Sequence, residues 1–167
     1  MLRWCCSSAR GCWRPCREGG LAVDISAEIV INKPRDEVAA FASDPDNDPA
    51  WIGGIVEAKT LTDPPFSKAT KVARVASFLG RRMEYEPEVV EYEAGALVSM
   101  KAETPFPMTI RYTFADVQGG TKMTIRVQGG GSGFYSVAAP LLAMMVRRNV
   151  SQDLNRLKEL LESEAPE

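Results

Sequence analysis

A chain of 167 residues, 45% hydrophobic and 25% charged, is long enough for one soluble globular domain with a real core. Its net charge of −2 and scattered basic residues argue against a polyanion, so nucleic acid is not expected as a partner. The chain has no His, which removes the usual general base near neutral pH and the commonest metal ligand, and neither a metal nor a cofactor is expected.

Residues 1–20 differ in composition from everything after them. They hold all four cysteines, Cys5, Cys6, Cys12 and Cys16, together with Trp4, Trp13 and four arginines. Arg3, Arg10 and Arg14 interrupt any apolar core of a secretory signal, so export is not supported and a cytoplasmic location is expected. The cysteine spacing lacks the paired C-x-x-C units of a metal site. This leader reads as a disordered extension, or as upstream sequence from a misplaced start. Residues 21–163 then read as a single ligand-binding domain and 164–167 as a tail.

From Val23 the pattern is regular. Val23, Ile25, Ala27, Ile29 and Ile31 alternate with polar residues, which predicts a half-buried strand. Pro34, Asp36 and Glu37 suit the first turn of a short helix that buries Val38 and Phe41, and a second short helical turn is expected over Asp46 to Trp51. Six strands follow: Ile55–Leu61, Thr70–Leu79, Arg81–Tyr92, Ala96–Glu103, Pro107–Asp116 and Thr121–Gln128, separated by turns rich in Gly, Pro and Asp. In the last two, Met108, Ile110, Tyr112, Phe114, Met123, Ile125 and Val127 share one side, with Thr, Arg and Lys on the other.

The chain ends in an amphipathic helix from about Phe134 to Ser163. Counted from Leu141, residues Ala143, Val146, Val150, Leu154, Leu157 and Leu161 form its apolar stripe, and Arg147, Arg148, Gln152, Asn155 and Glu159 lie opposite. No apolar run reaches the ~20 residues of a spanning helix, so stable membrane insertion is not expected. Leu141, Met144 and Met145 fall outside the stripe. Three explanations fit them: packing against Trp51, a movable entrance with the glycine run 129–131 as hinge, or a contact with a second copy or another protein.

That order of elements, with the segments Asp44-Pro-Asp-Asn-Asp-Pro-Ala-Trp51-Ile-Gly-Gly-Ile-Val56, Phe78-Leu-Gly-Arg-Arg-Met-Glu-Tyr85 and Val89-Val-Glu-Tyr-Glu-Ala-Gly95, resembles the START-like (SRPBCC) superfamily in its polyketide cyclase/dehydrase and lipid-transport branch. The resemblance implies an α+β helix-grip fold: a seven-stranded antiparallel sheet curled round the long C-terminal helix, two short helices after the first strand, and an enclosed hydrophobic cavity.

Other local patterns have plainer explanations. Asp44, Asp46 and Asp48 have the spacing of a calcium loop, but Pro49 and Ile55 stand where Gly and Glu are needed, so the aspartates are expected to cap helix ends. Glu84, Glu86 and Glu88 alternate with Met83, Tyr85 and Pro87 and read as a solvated face. Gly129 to Gly133 lacks the Lys-Ser/Thr of a phosphate loop.

Two main functional classes follow. A carrier would hold a hydrophobic or aromatic small molecule, lipid, isoprenoid or polyketide-like, against Trp51, Phe78, Tyr85, Met100, Ile110 and Tyr112. Phe114, Met123 and Ile125 of the sheet, with Val146 and Val150 of the helix, complete that expected wall. A cyclase/dehydratase-like enzyme would fold its substrate in the same space and polarise a carbonyl with Tyr85, Tyr112 or an inward Arg. A buried Arg or carboxylate on the inner face would discriminate between them, and alternation alone places none there. A weaker third class is a protein-interaction module, or homodimer contact, at Leu141–Met145.

Overall fold

The computed structural model describes residues 22–63, 65–78, 80–104, 107–130 and 139–163. The cysteine-bearing leader, Gly131 to Ala138 and the tail lie outside the described residues.

Strand β1 (Ala22–Ile31) leads to helix α1 (Arg35–Ser43), a single 3-10 turn (Pro45–Asn47) and the one-turn helix α2 (Asp48–Trp51). Pro34 caps α1 from outside its first turn, and Asp36 and Glu37 sit at the positive end of the helix. α1 buries Val38, Ala39 and Ala42, while Phe41 is half-buried against the same core. Strands β2 (Ile55–Thr60), β3 (Val72–Phe78), β4 (Arg81–Tyr85), β5 (Glu88–Glu93), β6 (Leu97–Ala102), β7 (Met108–Val117) and β8 (Gly120–Gly130) follow, and helix α3 (Ala139–Ser163) ends the described chain.

The expected single seven-stranded sheet is corrected. Among the described residues there are eight strands in two antiparallel sheets, one ordered β1-β8-β7-β6-β5 and one ordered β2-β3-β4. The expected strand Arg81–Tyr92 divides at Glu86-Pro87, because a proline has no N–H to donate to a ladder. The sheets meet through the isolated Lys71–Glu88 bridge. Backbone bonds from Val72 N to Pro87 O, Val89 N to Thr70 O and Ala69 N to Val89 O flank it.

In the larger sheet the alternation of β7 and β8 becomes cross-strand pairs on one face, Ile110 with Val127, Tyr112 with Ile125 and Phe114 with Met123. α3 lies over β1 and against α2, burying Leu154, Leu157 and Leu161 with these residues. Its C-terminal turns are tied to the end of β1: Glu162 Oε1 accepts from Asn32 N at 2.8 Å, and Lys158 Nζ donates to Val30 O at 2.7 Å. Its first turns are less covered, with Leu141 59% and Met144 64% exposed. No helix among the described residues is long and apolar enough to cross a membrane.

Candidate functional site

Between the two sheets and α3 lies a cavity of about 90 Å3 lined by Trp51, Ile52, Ile55, Arg74, Tyr85, Ile110, Tyr112, Ile125, Val127, Val150 and Asp153. Each wall comes from a different element. Trp51 closes it from the end of α2, its ring meeting Tyr112 edge-on with centroids 5.9 Å apart. Arg74 and Tyr85 are direct partners across β3 and β4, so their side chains stand side by side. α3 contributes Val150 and Asp153 from opposite the sheets.

One end of this apolar space is charged. Arg74 donates from Nε and Nη2 to Asp48 Oδ2, both at 2.7 Å, and the two side chains are only 3% and 1% exposed. An ion pair so buried persists because each charge answers the other's desolvation. Asp48 Oδ1 and Trp51 Nε1 are buried without hydrogen-bond partners among the described residues. On the helix side, Asp153 Oδ1 accepts from Gly53 N at 2.9 Å and stands 3.5 Å from Arg156 Nη1.

The surroundings shift the titrations. Burial opposes the charge on Arg74, but the neighbouring Tyr112, Asp48 and Tyr85 outweigh it, so the guanidinium is held protonated above its ordinary range. Burial pushes the Asp48 carboxyl up, with Arg74 pulling against it. Burial likewise raises Tyr85 and Tyr112, with the Arg74 guanidinium pulling against it. Both tyrosines are therefore neutral phenols near pH 7: they can donate to a carbonyl oxygen but cannot serve as phenolate bases. Burial also raises Asp153, partly offset by the Gly53 N–H and by Arg156.

Of the residues expected from sequence, Trp51, Tyr85, Ile110, Tyr112, Ile125 and Val150 come together at this cavity. Met100, Phe114 and Met123 are instead packed into the solid core. Val146 is half-buried on α3 away from the lining, and the Phe78 side chain lies outside the described set. Sequence reasoning missed Arg74 and Asp48. Arg74 shares the inward parity of Val72, and a charged residue at that position was the available signal. Of the three spaced aspartates, Asp44 does cap the 3-10 turn, accepting from Asp46 N at 3.1 Å, whereas Asp48 turns inward to Arg74. Glu84 and Glu86 are exposed and Glu88 is half-buried.

A larger space, about 900 Å3, is an open groove on the outside. α1, the 3-10 turn, the β2–β3 loop and the β5–β6 turn line it, including Asp36, Asp46, Asp63, Phe66 and Tyr92. None of the sequence-expected contacts reaches it. The smaller inner cavity gathers them, together with the buried charges, and is the candidate site.

The chain belongs to the family described as polyketide cyclase / dehydrase and lipid transport, whose model matches residues 22–162. No functionally curated protein matches the sequence. Among solved structures, it is similar to TTHA0849 from Thermus thermophilus, with TM-score 0.72 and 17% identity, covering 85% of this chain and 99% of that one. A protein of unknown function, SA2116 from Staphylococcus aureus, gives TM-score 0.70 at 13% identity, covering 85% and 94%. The di-domain ARO/CYC StfQ from the steffimycin biosynthetic pathway gives TM-score 0.70 at 14% identity, covering 86% of this chain and 52% of that one. At these identities the likeness is one of fold.

Proposed function

We propose that this protein binds a hydrophobic or aromatic small molecule in the cavity between its sheets and α3, with the guest's polar group directed to Arg74, Tyr85 and Tyr112. The observation that carries this reading is a buried, polar cluster at one end of a space otherwise lined by aliphatic and aromatic residues and Asp153. Apolar burial at ~25 cal/mol per Å2 supplies affinity, and the few polar groups supply orientation. The cavity is smaller than the ~300 Å3 at which pockets for drug-sized molecules begin, so a guest larger than one ring must widen it. Mass spectrometry of protein purified gently from its native host, intact against denatured, tests this. A stoichiometric small molecule is expected; a chain that is empty under those conditions counts against a stable carrier.

A second reading rests on Arg74 itself. A nearly wholly buried guanidinium beside two neutral phenols is suited to polarising a carbonyl, as a cyclase/dehydratase-like enzyme requires. In that case Arg74→Met removes turnover of a polyketone substrate while an apolar probe still binds. Loss of probe binding together with turnover returns Arg74 to a purely structural role.

A further inference from the structure

We infer that the inner cavity, on the reading that it holds the guest, is built for an uncharged molecule bearing a hydrogen-bond acceptor and discriminates against carboxylates, free fatty acids included. The charge on Arg74 is already matched: two of its N–H groups go to one oxygen of Asp48, and both side chains are almost wholly buried. A guest carboxylate placed there would set two anions against one cation in a medium that screens little.

The opposite wall adds to this. Asp153 lines the cavity with its side chain only 13% exposed, and both of its partners, Gly53 N and Arg156 Nη1, are on Oδ1. Arg156 is 50% exposed and does not line the cavity, so its charge is shared with solvent. The cavity wall with its buried pair thus brings two carboxylates and one guanidinium. Like charges so juxtaposed disfavour recognition.

The lining also carries neutral hydrogen-bond donors. Trp51 Nε1 is a buried donor with no partner among the described residues, on a residue that lines the space. The Tyr85 and Tyr112 hydroxyls are neutral donors on lining residues, and a guest carbonyl or ether oxygen meets such donors without adding charge. Asp153 Oδ2, which takes no donor among the described residues, in turn suits a guest hydroxyl.

The test uses a matched pair, acetophenone and benzoate, which share ring and carbonyl and differ in a methyl group against an anionic oxygen. Both are titrated at pH 7.5 into the full chain, with the Trp51 indole N–H followed by NMR and benzene as an apolar control. Acetophenone is expected to bind at least about tenfold more tightly than benzoate and to move the indole resonance. Asp153→Asn, which keeps an oxygen for Gly53 N, should narrow that ratio about threefold or more. Benzoate binding as well as acetophenone overturns the inference but leaves the container reading standing. A ratio untouched by Asp153→Asn overturns the part given to Asp153. If benzene, acetophenone and benzoate all leave the protein unchanged, the container reading fails and the inference falls with it.

Discussion

Arg74 directs two donors, Nε and Nη2, onto the same oxygen of Asp48, Oδ2, and leaves Oδ1 unpaired. The pair joins α2 to β3, whose residues are 26 apart in sequence, and so fixes the end of the cavity. Asp48→Asn strands a buried guanidinium without its anion and is expected to cost about 3–5 kcal/mol in urea unfolding. Replacing both, Asp48→Leu with Arg74→Met, should recover most of that loss. If the double variant is as unstable as the single one, the pair's role is shape and not charge.

Tyr112 offers a way to separate packing from recognition. Its ring packs on Trp51, and it shares the cavity wall with Arg74. Tyr112→Phe keeps the ring contact, so stability should change by less than about 1.5 kcal/mol. Affinity for acetophenone should fall several-fold, because one donor to the carbonyl is gone. Calorimetry on the same preparation reads both quantities.

Glu162 ties α3 to the turn after β1 and carries a pH signature. Its carboxylate accepts from Asn32 N and sits 3.3 Å from Lys158. The Asn32 N–H, and then Lys158, hold its carboxyl below the ordinary glutamate value of 4.5. A depressed folded-state value means that the contribution is fully present above the unfolded value and is lost as pH falls through the folded one. The stability difference between wild type and Glu162→Gln should therefore be level from pH 7 to 5 and shrink below about 4.5. A gap that widens on acidification would reverse the assignment.

Gly120 opens β8 with φ of +147°, and a Cβ there would stand 2.1 Å from the backbone oxygen of Ile31. Neither the dihedral nor that neighbour can yield cheaply, since Ile31 is fully buried at the end of β1. Gly120→Ala should destabilise by about 2–3 kcal/mol, read as a lower urea midpoint with an unchanged slope.

Much of this architecture is written in local pattern. Alternation in β7 and β8 identifies the inner face because those strands pair directly, Tyr112 against Ile125, with the other face in water. The helix stripe identifies Leu154, Leu157 and Leu161 for the same reason, a period of 3.6 against a single apolar surface. Pattern fails where an apolar position holds a charge. Arg74 lies on the inward parity of β3, and only a partner on a distant one-turn helix makes its burial tolerable. Nor does pattern separate core from cavity: Met123 and Ile125 are equivalent by parity, yet only Ile125 faces the open space. That distinction depends on how closely α3 approaches each point of the sheet.

Pro87 has a mechanical result. By interrupting what would be one long strand, it leaves a crease joined by one bridge, Lys71–Glu88, and the three backbone bonds around it. Flattening or deepening that crease sacrifices on the order of 3 kcal/mol of hydrogen bonding, at ~1 kcal/mol net for each. The ladders on either side stay whole. Arg74 comes from one panel of the folded card and Tyr112 from the other. A change of dihedral angle at the crease therefore alters the bore of the cavity while every strand keeps its register, and enlargement for a bulky guest is set by the sheet's geometry as much as by the helix that covers it.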